Sequence, residues 1–550
     1  MFKRVCSSIR YTLTFSSLLP FQIRSTWGHF ISSRHTCSSV QICSRISVSR
    51  IKAKRHQTSY QRPDFYRSEL KINNILRRNE QTVNLPEFDG RGLSTVRKFE
   101  SNQLPANTPN EDRRSVAACL QVTISVLLPS PSKPSLLTRC MYFLSLSLLQ
   151  SKGMLFGVFD GHGGSACAQA VSERLLYYIA VAMMPKQSLA VLESGMQHGR
   201  PVPPILQWYK HRTDFNYEPA SLYIDQLRIF WQELLDSDEH DEGMDPTTAL
   251  TYAFKRLDAD ISLEAQAPFS NVLEKTAAIQ TAFAGCTACV AHVGPDGIHV
   301  ANAGDCRAVL GVQEADGSLS ALPLSWDHNS DNEAEVERIR ALHPPSERDT
   351  VVTDGRLLGV LMPLRAFGDV QFKWSLELQQ SILASLKSGV DLDSVSLRHY
   401  TPPNYTSPPY LDATPEIIYH KLRPQDCFLI LGTDGLWDEL GNKEAVRIAG
   451  EHLNAIHLQA PITPSERQLN LGQMHELLVR RQARVSDAFD ANTATHLIRY
   501  ALGTGNYGEL CQEKLTSMLT LPEDLARLYR DDITATVVHL NSSLARAQQT

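Results

Sequence analysis

Five acidic residues stand at or just beyond the ends of apolar, strand-like runs: Glu111 in NEDRR, Asp160 in VFDGHGG, Asp305 in NAGDCRA, Asp434 in GTDGLWD and Asp531 in YRDDIT. Each sits beside a glycine or another acid. Singly, such residues are ordinary turn formers. Together, carboxylates delivered by several strand ends can converge on one pocket. An oxygen-only set suits a hard cation such as Mg²⁺ or Mn²⁺, which prefers octahedral oxygen coordination and keeps several waters. Zinc fits less well, because no His or Cys cluster accompanies the acids. The glycines beside Asp160 let backbone approach an ion closely.

The runs that must position these acids are of strand length: MLFGVF at 154–159, IHVANA at 298–303, FLILG at 428–432 and ITATVVHL at 533–540. Helical stretches separate them. From Ser165, residues Ala168, Val171, Leu175 and Ile179 recur at helical spacing until Pro185, and EAEVERIRALHP stops at Pro344. Strands and helices mixed through one long domain predict an α/β or α+β architecture. The 11 cysteines are scattered. Cys286 and Cys289 have CxxC spacing but lie in GCTACVAHV, a strand-like run, and read as structural.

The chain of 550 residues is 42% hydrophobic, enough to bury a large core. Its formal net charge of -5 argues against a nucleic-acid binder held by phosphate contacts. Residues 1–63 hold no Asp or Glu but include Lys3, Arg10, Arg24, Arg45 and Arg55. That is the composition of a mitochondrial transit peptide, with a disordered basic arm as the alternative. Residues 64–98 read as a linker, and the folded domain is expected over 99–545.

Residues 122–150 are rich in Leu, Ser and Pro and lack acids. Arg139 interrupts their apolar part, which is shorter than the roughly 20 residues a bilayer needs, so no transmembrane segment is expected. Val122 is encoded by a codon beginning GT, and LSLSLLQ can be written as a pyrimidine tract followed by CAG. Those are the marks of an intron's two ends. The segment is read as translated intron whose removal joins CLQ to SKGMLFGVFD as a hairpin. A long surface loop is the alternative.

NEDRR, VFDGHGG, ANAGDCRAVLG, WDHN, LLGVLMPLRAFGD, LGTDGLWDEL and RDDIT occur in an order that resembles the metal-dependent serine/threonine phosphatases often called type 2C. SNQLPANTPNEDRRS, PPILQWYKH, RAFGDVQFKW, PPNYTSPPYL and TLPEDLARLYRDDIT further resemble the mitochondrial pyruvate dehydrogenase phosphatase branch, nearer its second catalytic isozyme.

The resemblance implies an α+β fold, a four-layer α-β-β-α sandwich of two antiparallel sheets with a binuclear metal centre at one end. It gives Asp160 the role of bridging two Mg²⁺ or Mn²⁺ ions, with Asp434 and Asp531 on the first and Glu111 and the Gly161 carbonyl on the second. Asp305 resembles a ligand of a weaker third site that Asp438 could reach, and Asp112 and Asp532 are supporting groups. Two cations about 3.5–4 Å apart acidify a bound water and stabilise a transferring phosphoryl group, so the implied nucleophile is a bridging hydroxide. His162 is the implied general acid to the leaving serine oxygen.

The family often has an arginine where this chain has Asn107, so phosphate affinity is expected to rest on the metals. The implied substrate is phosphoserine on the pyruvate dehydrogenase E1 α subunit, whose dephosphorylation reactivates the complex in the mitochondrial matrix. The implied partners are the lipoyl domain of the E2 core and a regulatory subunit. A phosphatase-like scaffold without catalysis is the rival from another class, against which the retained Asp160, Asp434 and Asp531 speak. A same-family phosphatase with another substrate is the second rival.

Overall fold

The structure, a computed structural model, describes residues 65–85, 95–122, 149–200, 202, 204–214, 221–237, 241–268, 271–386, 401–459, 472, 490–505 and 509–541. All belong to one compact unit, Pro63–Thr550. The acid-free leader, residues 1–63, lies outside the described residues.

Two large sheets, antiparallel throughout, organise the unit. One has the order β1 (Gln81–Asn84), β2 (Val96–Leu104), β15 (Ile533–Leu540), β14 (Asp426–Gly432), β8 (Arg307–Gln313) and β9 (Leu319–Pro323). The other runs β13 (Glu416–Lys421), β7 (Gly297–Ala303), β6 (Gly285–Val293), β4 (Leu149–His162), β3 (Arg113–Val122) and β5 (Leu206–Trp208), with β12 (Phe367–Gly368) also paired to β6. A short hairpin joins β10 (Val352–Thr353) to β11 (Arg356–Leu357).

The strands carry apolar groups on both faces, because side chains alternate along a strand and both faces here are covered. In β15, Ile533, Ala535 and Val537 join a core with the helices Asn442–Gln459 and Thr493–Gly503, while Val538 and Leu540 face a core shared with the other sheet. In β4, Met154, Phe156 and Val158 enter that shared core, and Leu155 and Phe159 pack on the opposite face with the helices Ala166–Ala182 and Pro246–Gln266. The same alternation separates Cys286 from Cys289: three residues apart, they enter cores on opposite faces of β6 and remain free thiols.

The strand-like runs fall within β4, β7, β14 and β15, and the two helical stretches form Ala166–Ala182 and Glu333–Leu342. The linker reading of 64–98 needs correction. That stretch contains the helix Phe65–Leu76, β1 and the start of β2, and Ile72 and Leu76 are buried in the core beside β15. Ile72, Ile75 and Leu76 supply the buried face of the helix, while Leu70 is exposed.

β3 and β4 pair through Leu120↔Ser151, Gln121↔Gln150 and Val122↔Leu149. The ends of segment 122–150 are thus ladder neighbours, and residues 123–148 lie outside the described residues. Among the described residues no helix is long and apolar enough to cross a membrane.

Candidate active site

Antiparallel pairing delivers the acids to one end of both sheets. β4 ends where β3 begins, with Arg113 opposite Phe159, and β14 ends where β15 begins, with Gly432 opposite Ala535. Glu111 therefore stands two residues before β3 and Asp531 two before β15. Asp160 lies in the last three residues of β4, while Asp305 and Asp434 stand two residues after β7 and β14.

Two further acids tie this end together. Asp112 Oδ2 accepts hydrogen bonds from Thr433 Oγ1 at 2.9 Å and Thr534 Oγ1 at 2.6 Å, joining the β3 side to the other sheet. The Asp532 carboxylate accepts from the backbone N–H groups of Ala106, Asn107 and Glu111 and from Asn107 Nδ2, fixing the loop that carries Glu111. Asn107, at the position where the family often has an arginine, is thus engaged in holding this loop. Gly161 is needed for close packing: a Cβ there would come within 2.5 Å of the Glu111 carbonyl oxygen.

The electrostatics show how tightly the acids are gathered. Burial first, then the charges of Asp434, Asp112 and Asp305, raise the Asp160 carboxyl well above its ordinary value. Burial and Asp434 push Asp305 up to about 8. Asp434 is raised to about 6 by burial, relieved by a hydrogen bond with Asp160 and reinforced by Asp531 and Asp438. Burial and Asp532 raise Glu111, and burial and Asp531 raise Asp438. Such mutual repulsion is relieved by a cation.

The fit to a hard divalent ion rests on the donors themselves. They are all oxygens, and Asp434 Oδ1 is buried without a hydrogen-bond partner. Among the described residues, however, no three His, Cys, Asp or Glu side chains are gathered closely enough to hold an ion as they stand. Asp531 is instead turned toward Arg527, with which it forms an ion pair.

His162 ends β4, with its side chain 27% exposed, and its Nε2 lies 2.6 Å from Asp369 Oδ2. Burial lowers the imidazole pKa, but Asp369, Asp305 and Glu111 outweigh it and leave the ring easier to protonate than usual. The WDHN motif supports the site from behind. His328 Nδ1 accepts from Gly304 N, and Asp327 binds Arg307 through two hydrogen bonds. A cleft of about 1200 Å³ lies to the side, lined by Arg307, Trp326, Asp327, Glu335, Arg338 and Arg365 among others, and none of the five acids lines it.

Sequence reasoning gave no role to Asp369 or Arg527. Asp369 closes the quoted stretch LLGVLMPLRAFGD, but it meets its partner across 207 residues, so the motif does not show what it touches. Arg527 lies in the quoted stretch TLPEDLARLYRDDIT, four residues before Asp531, where helical spacing could have paired them.

Known proteins place these features in a family. The family model for Protein phosphatase 2C matches residues 218–470, a span that includes Asp305 and Asp434 but not Glu111, Asp160 or Asp531. The mitochondrial [pyruvate dehydrogenase [acetyl-transferring]]-phosphatase 1 of Bos taurus is 50% identical over 489 residues, covering 88% of this chain and 85% of that protein. The mitochondrial phosphatase 2 of that name from Homo sapiens is 49% identical over 494 residues, covering 89% and 87%, so identity does not separate the two isozymes. The Saccharomyces cerevisiae phosphatase 1 is 27% identical over 482 residues, covering 83% and 70%. With identity near one half across most of both chains, the protein belongs to the protein phosphatase 2C family.

Proposed function

We infer that this chain is a mitochondrial, metal-dependent protein serine/threonine phosphatase that dephosphorylates pyruvate dehydrogenase and so reactivates its complex. The observation that carries this reading is identity of about one half, over nearly nine-tenths of the chain, with enzymes named for that reaction. The acids gathered at one end of the two sheets support it independently.

Within this reading the substrate is phosphoserine on the E1 α subunit, and the compartment is the matrix, reached through a transit peptide in residues 1–63. The lipoyl domain of the E2 core and a regulatory subunit are the proposed partners. The three stacked cores are read as the contacts of an α-β-β-α sandwich, with the metal centre at the acidic end. Asp160, Asp434 and Asp531 would hold one Mg²⁺ or Mn²⁺. Asp160, Glu111 and the Gly161 carbonyl would hold a second, and Asp305 with Asp438 a weaker third.

When bound, the metals supply Lewis acidity toward water and the phosphoryl oxygens. The chain's own residues do the rest. Asp532 holds the Glu111 loop, Asp112 clamps the two sheets, and His162 gives a proton to the departing serine oxygen.

The test is to incubate phosphorylated, inactive pyruvate dehydrogenase complex with the chain and Mg²⁺. Recovery of dehydrogenase activity is expected, together with loss of E1 α phosphate. Phosphate loss from unrelated phosphoproteins but not from E1 α would overturn the substrate assignment.

A further inference from the structure

Three neighbouring strands bring together a pair of side chains that the proposed chemistry has used only in part. β4, β6 and β12 lie side by side, and at their common end His162 pairs with Gly285, which pairs in turn with Gly368. Asp369 follows directly. Adjacent strands are about 4.8 Å apart, so His162 and Asp369 are separated by the full width of β6. Their side chains nevertheless meet, Nε2 to Oδ2 at 2.6 Å. They can do so because the residue between them is Gly285: a Cβ on it would collide with both His162 Nε2 and Asp369 Oδ2.

The carboxylate is held in place from its own side. Asp369 adopts left-handed backbone angles, φ 48° and ψ 40°, uncommon for a residue other than glycine. Its N–H donates to the Ala284 carbonyl at 3.0 Å. The preceding Gly368 N–H donates to Asp258 Oδ1 at 2.9 Å, and Lys373 Nζ bridges Asp258 and the Ala366 carbonyl. The Asp369 side chain is 2% exposed, whereas that of His162 is 27% exposed. A strained, clamped and buried acid touching a partly open imidazole is the arrangement that fixes a ring's tautomer and direction.

We propose that Asp369 is the positioning residue of the reaction: by accepting the Nε2 hydrogen of His162 it leaves Nδ1 as the nitrogen that protonates the leaving serine oxygen. This rests on the phosphatase reading given above. In the step concerned, a water oxygen bonds to phosphorus as the phosphorus–Oγ bond breaks. The serine Oγ takes the Nδ1 proton, the water's proton passes to solvent, and His162 recovers its proton from solvent. The products are serine and inorganic phosphate. Gly285 belongs to the same device, since its missing side chain is what lets the pair form.

The test compares two substrates, a phosphoserine peptide with a basic leaving oxygen and p-nitrophenyl phosphate, whose leaving group departs without protonation. General-acid contributions run to about 10²–10⁴-fold. Asp369→Asn tolerates the left-handed backbone. It is expected to lose about 10- to 100-fold in kcat on the peptide and about threefold or less on the aryl phosphate, with unchanged thermal melting. Gly285→Ala should show the same substrate bias. His162→Gln should be as poor on the peptide alone as when combined with Asp369→Asn. Equal losses on both substrates, or additive losses in the double variant, would overturn the proposal and leave Asp369 a structural residue. A wild-type chain that hydrolyses neither substrate with Mg²⁺ would instead remove the phosphatase reading on which it stands.

Discussion

Asp434 and Asp112 each keep one buried oxygen without a partner. Asp434 is crowded by Asp531 and Asp438, whereas the other oxygen of Asp112 accepts hydrogen bonds from two threonine hydroxyls. Replacing Asp434 by Asn should abolish metal-dependent activity while raising the thermal stability of the metal-free chain, because one buried like charge is removed. Thr534→Val should instead cost about 1–3 kcal/mol of stability, because it strips a partner from a buried carboxylate. Differential scanning calorimetry with and without Mg²⁺ separates the two, and a Thr534→Val variant of wild-type stability would contradict the clamp. Asn107, committed to Asp532, leaves phosphate affinity to the metals, so activity should saturate at millimolar rather than micromolar Mg²⁺. At this scale the sequence made the acids legible, because each stands at or just beyond one end of an apolar run, next to Gly or another acid. Asp369 was hidden because its meaning lies in a contact across two strand ladders.

The β3–β4 hairpin carries the site, with Glu111 just before one strand and Asp160 in the other. Its inner face is anchored by Phe156, fully buried and edge-on to Phe99 with ring centroids 5.6 Å apart. Phe156→Ala should cost about 3–5 kcal/mol, read by urea denaturation, since it opens a cavity between the sheets. Removing residues 122–150 should leave the body of the hairpin intact, because the pairs from Arg113↔Phe159 to Ala118↔Met154 are untouched and the residues between Ala118 and Met154 can close the turn. Loop closure costs about 0.6 kcal/mol per doubling of length, so the shortened chain should be at least as stable. A deletion variant that fails to fold would contradict this, and transcripts that always retain the segment would contradict its reading as translated intron. The strands bearing acids were legible from their length and β-branched content. The helix Phe65–Leu76 was not, because its buried face rests on Ile72, Leu76 and few others.

Across the whole molecule, buried titrating groups set the acid limit of stability. Burial depresses His292 and His452 to about 4 from an ordinary 6.5. Glu100, which burial alone would raise, is held down at about 2 by His539 and Lys98, and Glu335 at about 2 by Arg365 and Arg338. A base with a lowered folded pKa gives stability that is full above its unfolded value and lost as pH falls to the folded one. A carboxylate with a lowered folded pKa does the same in its own range. With saturating Mg²⁺, stability should therefore fall first between pH 6.5 and 4 and again between 4.5 and 2. Mg²⁺ is required because Asp305 and Asp434, raised in the folded state, act in the opposite sense when no cation is present. A flat profile from pH 7 to 4 would contradict the histidine part. Mixed strand and helix runs narrowed the class to α/β or α+β and the family resemblance chose α+β, but the order of strands did not follow from the runs, since it depends on pairings such as β2 with β15 that lie more than 400 residues apart.

The most direct measurement is phosphate release from a phosphoserine peptide of the pyruvate dehydrogenase E1 α subunit, by the chain with Mg²⁺, with a chelator, and by its Asp434→Asn variant with Mg²⁺. Release by the first alone is the predicted result. Release that survives both the chelator and the substitution, or no release under any condition, would contradict a metal-dependent phosphatase built on these acids.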